Sequence, residues 1–299
     1  MAGVSQTTVS LVLNNRAEGE VRLAAETRER VLRVIRETGY IADPAARRLA
    51  EGRNRILGVF TYEAVFPAAG ADFYHPFLVG IEECAEQVGS DVLLFTSSRR
   101  MFGENSRIRL ADGCVLLGRS LDRDDLARLL ADRIPFVSVG RRDDAGGPVP
   151  YVGADYPAAV RALVARAVEL GHRSFVYVGA GAGPESHADR YRGFVEGTRG
   201  LEAVRVGDPE AVLDCGATVA FFEEEADAVP FVGRGLSIVA LGTATRPVQA
   251  DIDFTGFHIP RREMGHRAVE LLTEVLESGG TPQELLPCEL IAGSTLNGR

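Results

Sequence analysis

The chain of 299 residues contains no tryptophan and no lysine, three methionines and four cysteines. With lysine absent, every basic side chain is an arginine, which reads as a codon bias of the genome rather than as a functional signal. Cys84, Cys114, Cys215 and Cys288 lie far apart without a C-x-x-C pair. That spacing argues against a zinc ribbon or a secreted disulfide scaffold and leaves buried, reduced thiols. No apolar run approaches the roughly 18 residues of a membrane span. The opening MAGVSQTTVS also lacks the charged and apolar regions of an export signal, so a soluble intracellular chain with no membrane partner is expected. Reactive constellations are missing as well. There is no G-x-S-x-G elbow and no H-E-x-x-H pair, and His75, His172, His187, His258 and His266 show no ligand spacing. Gly179, Gly181 and Gly183 have G-x-G-x-G spacing followed by Pro184, which is not the dinucleotide fingerprint. Catalysis, a bound metal and a cofactor are therefore not expected.

What is present is ordinary globular material, 45% apolar and 25% charged. Chains of this size hold two or three domains, and the composition excludes disorder and fibrous repeats. The formal charge of −9 is unevenly spread. Residues 1–55 hold ten arginines against seven acids, a net of +3, so the remainder carries −12. A small cationic module ahead of an acidic body is compatible with nucleic-acid contact through the N-terminus.

Within that module VSQTTVSLVLNN reads as a helix, with Ser5 as cap and Val9, Val12 and Leu13 on one face. AAETRERVLRVIRETGY gives a second helix, with Thr27, Val31, Val34 and Ile35 in a stripe and Gly39 as a left-handed stop. DPAARRLAEGRNR follows as a short helix started by Pro44 and an arginine-rich connector. From residue 56 the texture changes. ILGVF, DVLLF, GCVLL and PFVSVG read as buried strands, separated by amphipathic stretches such as FLVGIEECAEQVG and DDLARLLADRI. The cycle restarts with AAVRALVARAVELGH and SFVYVG and runs to REMGHRAVELLTEVLESG. This alternation predicts an α/β fold of two doubly wound parallel-sheet lobes. A ligand is expected in the cleft between them, outside the carboxyl ends of the strands.

AGVSQTTVSLVLNN, ETRERVLRVIRETGY and DPAARRLAEGRNRILGVF, in that order, closely resemble the start of LacI-type bacterial transcriptional regulators. The resemblance continues through FYHPFLVGIEECAEQVG, VGADYPAAVRALVARAVELGHRSFVYVG, RYRGF, REMGHRAVELL and ELIAGST, covering nearly the whole chain. It implies a helix-turn-helix head at 1–42, a hinge helix and linker at 43–55, and an effector-binding and dimerisation body of the periplasmic-binding-protein type at 56–299. The N-lobe is expected mainly at 56–153 and the C-lobe at 156–245, before the chain crosses back. The implied function is a DNA-binding regulator, a repressor, with a cytosolic small-molecule-binding protein that has lost DNA binding through N-terminal truncation as the alternative. Its implied partners are double-stranded operator DNA, a small-molecule effector (sugar-like or another small metabolite) and a second copy of the chain, a homodimer in the cytoplasm.

By position, Gln6 and Thr7 match base-reading residues of the recognition helix. Thr8, Ser10 and Asn14 match residues that bond phosphate, with local capping as the alternative for Thr8 and Asn14. Leu49 matches the hinge leucine wedged into the minor groove, flanked by Arg47 and Arg48. Relatives carry a further helix ahead of this segment, so the head is truncated here and Met1 is expected to be a start placed downstream of the real one. Without leucine heptads after the body, no tetramerising tail is expected.

For the effector, Phe73 and Tyr74 match residues facing the cleft, and Asp155 lies near the crossing between lobes. Arg190 in RYRGF matches an arginine that bonds ligand hydroxyl or carboxylate groups. Gly242 and Thr243 stand where sugar-binding aspartates are usual, and Glu225 with Ala226 stands where Asn-Asp is usual. Lost carboxylates remove paired acceptance from hydroxyls, which puts a standard sugar effector in doubt.

Overall fold

The computed structural model describes residues 3–5, 8, 9, 12, 24–38, 53–63, 73–95, 107–243, 248 and 251–299. The chain divides into two compact units, Met1–Asn54 and Arg55–Arg299. In the first, Thr8, Val9 and Val12 are helical. Ser5 caps them, its Oγ accepting from the Thr8 amide at 3.2 Å. Helix α1 (Ala25–Thr38) buries Val31 completely and half-buries Thr27, Val34 and Ile35, the stripe its 3.6-residue period dictates. Gly39 lies outside the described residues.

The second unit contains, among the described residues, two six-stranded sheets. The N-lobe sheet uses β1 (Ile56–Phe60), β2 (Asp91–Phe95), β3 (Gly113–Leu117), β4 (Phe136–Val139), β5 (Tyr151–Ala154) and β11 (Gln283–Leu286) in the order β11-β5-β4-β3-β1-β2. Every pairing in it is parallel. Side-chain alternation on a strand explains why both faces must be apolar. Cys114 and Leu116 of β3 pack towards helix α3 (Arg123–Ala131), with Leu126 and Leu129. Val115 and Leu117 face the opposite side, under helices α2 (His75–Gln87) and α7 (Arg261–Ser278).

The expectation that DVLLF is a buried strand is corrected. It forms β2, the sheet edge, where Asp91 and Val92 are exposed. An apolar run reports burial in general, and only the strand order reveals which strand lacks a second neighbour.

The C-lobe sheet has β6 (Ser174–Val178), β7 (Glu202–Val206), β8 (Val219–Glu224), β9 (Ser237–Thr243), β10 (Thr255–His258) and β12 (Glu289–Ile291), in the order β12-β10-β9-β8-β6-β7. Only β12 runs antiparallel. Phe175 and Tyr177 face helices α4 (Tyr156–Glu169) and α5 (Glu185–Gly197), while Val176 and Val178 face Phe231 on the other side. The chain passes between the sheets three times. It leaves β5 for α4, leaves β10 for α7, and leaves β11 for β12.

Helices α2 and α7 touch backbone to backbone over the N-lobe sheet. A Cβ on Gly80 would lie 1.9 Å from the Arg262 carbonyl oxygen, and one on Gly265 would lie 2.1 Å from that of Phe77. Neither glycine needs its conformational freedom here; each supplies the absence of a side chain. Gly80→Ala is expected to force the helices apart and cost about 1–3 kcal/mol, the usual range for overpacking. Urea unfolding of the variant checks this, and an unchanged midpoint would contradict the reciprocal contact.

Candidate effector cleft and nucleic-acid head

The carboxyl end of β4 runs directly into Gly140-Arg141-Arg142, so two guanidinium groups leave the N-lobe sheet where it faces the C-lobe. Both cross to α5. Arg141 Nε donates to Asp189 Oδ2 at 2.6 Å, and Arg142 Nη1 donates to Glu185 Oε2 at 3.0 Å. Arg142 is 4% exposed. Its other donors reach Ser138 Oγ at 3.1 Å, the Arg119 carbonyl at 3.3 Å and the Gly118 carbonyl. Burial depresses the Arg142 pKa, with Glu185 opposing that shift. The buried Asp189 also pairs with Arg192 at 3.0 Å.

These pairs close a cavity of about 50 Å³ lined by Phe73, Tyr74, Arg119, Arg141, Arg142, Tyr156, Ser186, Asp189 and neighbouring apolar residues. Small-molecule pockets usually hold about 300–1,000 Å³. Admission of a metabolite of ordinary size therefore requires the lobes to part, and parting them separates both arginines from α5.

Each wall has its own anchoring. Tyr74 ends the loop before α2 and donates its hydroxyl to Glu63. Glu63 also pairs with Arg119, through Nε at 3.2 Å and the backbone amide at 3.0 Å. Burial raises the Glu63 pKa, but Tyr74 and Arg119 outweigh it and hold the carboxyl below its usual value. Burial and Glu63 push the Tyr74 hydroxyl up. Phe73 carries the Arg261 guanidinium 4.6 Å above its ring. On the C-lobe side Arg190 is 2% exposed. It lies 3.8 Å over the Tyr156 ring and donates from Nε to the Leu241 carbonyl at 2.7 Å and from Nη1 to the Ser186 carbonyl at 2.9 Å. Behind it, Glu223 of β8 meets His187 Nδ1 at 2.7 Å. Burial raises the Glu223 pKa, and His187 with the Gly181 amide overrides that and lowers it.

Residues 1–43 match the family model described as bacterial regulatory proteins, lacI family. The N-terminal segment of the chain is therefore similar to the DNA-binding part of that family. It is 28% identical over 200 residues to the maltose regulon regulatory protein MalI of Escherichia coli (strain K12), covering 64% of this chain and 55% of that protein. It is 35% identical over 195 residues to the HTH-type transcriptional regulator AglR of Rhizobium meliloti (strain 1021), covering 62% of this chain and 51% of the relative. The matched stretch thus spans about half the length of these two curated relatives. Among solved structures, the lac repressor dimer bound to operator and the anti-inducer ONPF superposes with a TM-score of 0.71 at 22% identity, covering 99% of this chain and 96% of that one. That likeness shows the two-lobed α/β fold of the LacI family. The relatives are transcriptional regulators rather than enzymes.

Of the residues that the LacI resemblance singles out for the effector, Phe73 and Tyr74 line the cavity, and Arg190 lies against Tyr156, which lines it. Arg190 is no solvated helix charge, since its guanidinium is buried between α5, Tyr156 and β9. Asp155 has a second occupation: its Oδ1 accepts from the Ala158 amide at 3.0 Å and caps α4. Glu225, at the start of the short helix α6 (Glu225–Ala228), lies on a wider groove with Gly242, His258 and Arg261. Burial first, then Glu224, raises its pKa. Thr243 closes β9. Before it, Gly242 has φ +72°, a left-handed conformation that β-carbon residues rarely adopt.

In the head, the Thr8 hydroxyl lies 2.9 Å from Ser5 Oγ, the local bonding given above as its alternative role. Gln6, Thr7, Ser10, Asn14, Arg47, Arg48 and Leu49 lie outside the described residues. The cross-lobe pairs Arg141–Asp189 and Arg142–Glu185 were not anticipated. Two adjacent arginines at the carboxyl end of a parallel strand were the available signal.

Two outcomes follow from these contacts. Glu185→Ala strands a buried guanidinium and is expected to destabilise the body by on the order of 3 kcal/mol. It should also enlarge the radius of gyration seen by X-ray scattering, and a variant as stable and compact as the parent would refute the pairing. Glu63 has a lowered folded-state pKa. Its contribution to stability is therefore full above its ordinary value of 4.5 and is lost as pH falls through the lowered one. Denaturation of Glu63→Gln across pH should show a difference from the parent at neutral pH that narrows in acid; a constant difference would count against it.

Proposed function

We propose that the chain is a DNA-binding transcriptional regulator, a repressor, whose operator affinity is set by a small molecule held between its two lobes. The observation that carries this reading is the coexistence in one chain of a lacI-family match over residues 1–43 and a two-lobed body whose cleft is closed by cross-lobe ion pairs. It acts as a homodimer in the cytoplasm, on a pseudo-palindromic duplex with one half-site per head. Residues 1–42 form the head, 43–55 the hinge and linker, and 56–299 the effector-binding body. Gln6 and Thr7 read bases, while Thr8, Ser10 and Asn14 hold phosphates. Leu49 wedges the minor groove with Arg47 and Arg48 beside it, so specificity comes partly from the deformability of the duplex.

The effector, sugar-like or another small metabolite, contacts Phe73, Tyr74, Asp155, Arg190, Glu225 and Thr243. Binding parts or re-closes the lobes, and their relative placement orders or melts the paired hinge helices. No catalytic step is assigned. The relatives are regulators, and the cleft arginines are fully engaged in holding the lobes.

The reading is tested by fluorescence anisotropy on duplex DNA from upstream of the protein's own gene, against a scrambled duplex, across a salt series. A preference of at least about 10³-fold, falling steeply with salt, is expected for specific binding. Leu49→Ala should weaken that binding while leaving the body's thermal stability unchanged. Equal affinity for both duplexes would overturn the repressor reading in favour of a small-molecule-binding protein without DNA function.

A further inference from the structure

The reciprocal glycine contact between α2 and α7 has a chemical consequence one turn further along. Cys84 follows Gly80 by four residues on α2, and His266 follows Gly265 directly on α7. Glu270 stands four residues beyond His266, on the same helical face. Because the helices approach backbone to backbone, one ligand atom each of Cys84, His266 and Glu270 falls within 4.8 Å of the others. His266 Nδ1 lies 3.6 Å from Glu270 Oε1. A tetrahedral zinc-like ion with bonds of about 2.0–2.3 Å holds its ligands roughly 3.3–3.8 Å apart, so small rotations of the two partly exposed side chains complete the fit.

The surroundings suit an ion. The other oxygen of Glu270 accepts from Arg267 Nη1 at 2.9 Å, which leaves Oε1 directed towards His266 and fixes the carboxylate, as outer-shell partners of ligands commonly do. Cys84 is 1% exposed, so the sulfur side of the site is dry. His266 borders the open groove along α7, which provides an entrance.

We propose that Cys84, His266 and Glu270 form a binding site for a divalent transition metal of the zinc class, clamping α2 to α7, with the fourth position held by water. Thiolate, imidazole and carboxylate together favour zinc or cobalt over magnesium or calcium, which take oxygen ligands. Burial pushes the Cys84 thiol up to about 11, so the metal-free side chain keeps its proton. The ion replaces that proton, which leaves to solvent as the sulfur–metal bond forms. None of its three ligands is among the proposed effector contacts, although the groove that leads to His266 also borders Glu225.

Titration of the full chain with Co²⁺, followed by competition with Zn²⁺, tests it. One Co²⁺ per chain should bind with a near-ultraviolet thiolate-to-cobalt charge-transfer band, and Zn²⁺ should displace it. Cys84→Ser should abolish the band, whereas Cys215→Ser, at a thiol outside the cluster, should leave it intact. His266→Ala alters a partly exposed side chain and keeps the fold, and it should weaken binding roughly tenfold or more. Absence of the band, its survival in Cys84→Ser, or an unchanged affinity in His266→Ala would each overturn the proposal.

Discussion

A guanidinium that is taken out of water must have every donor answered, and Arg142 imposes that constraint on the centre of the molecule. Its partners are two carbonyls and a hydroxyl of its own lobe and one carboxylate of the other. Three hydrogen bonds fix the side chain to the N-lobe as a rigid arm, so Glu185 meets a preset position rather than a flexible surface charge. Arg141 beside it is less buried and shares itself between Asp143 and Asp189. The two pairs are therefore unequal. Arg142–Glu185 defines the closed geometry, because breaking it leaves a buried cation unanswered. Arg141–Asp189 adds to it with a partner to spare.

The three crossings of the chain make this arrangement possible. A two-lobed body joined by one linker would leave lobe placement to chance. Here β5, β10 and β11 each end where the lobes meet, and α7 packs on the N-lobe sheet although it is entered from the C-lobe. Motion between the lobes is then limited to bending at three short segments. Asp155 caps α4 at one of them and Arg261 begins α7 at another. Both positions lie where parallel strands end, the usual place for a ligand cleft in sheets of this kind.

Much of this is legible in the sequence, and the remainder is hidden for definable reasons. Period and composition locate the strands and helices, since a strand buried on both faces must be apolar throughout. They cannot locate the edge: DVLLF has the composition of a core strand, and its exposure follows from strand order alone. The helix signature at Asp155-Tyr156-Pro157, a capping carboxylate with proline in the first turn, is fully local and explains a residue otherwise read only as a cleft position. Contacts that span the fold have no such signature. Neither Gly80 against Gly265 nor Arg142 against Glu185 can be inferred from spacing, because each depends on where α2, α5 and α7 are carried by the topology.

The closed cleft bears on what an effector can be. Parting the lobes moves Arg142 away from Glu185 and Arg141 away from Asp189, and a ligand that merely fills space leaves those charges to find water inside a narrow opening. Resolvation of that kind is incomplete, so an apolar ligand meets the full penalty of broken ion pairs and binds only a minor, opened population with correspondingly reduced apparent affinity. A ligand carrying its own acceptors for the arginines, or donors for Glu185 and Asp189, offsets the penalty at the point where it arises. Discrimination then comes less from shape than from whether the incoming molecule can answer the groups it separates, which follows from the asymmetry between making a hydrogen bond and leaving one unmade. Arg141 with Asp189 and Arg142 with Glu185 are the paired charges that such a molecule would have to answer.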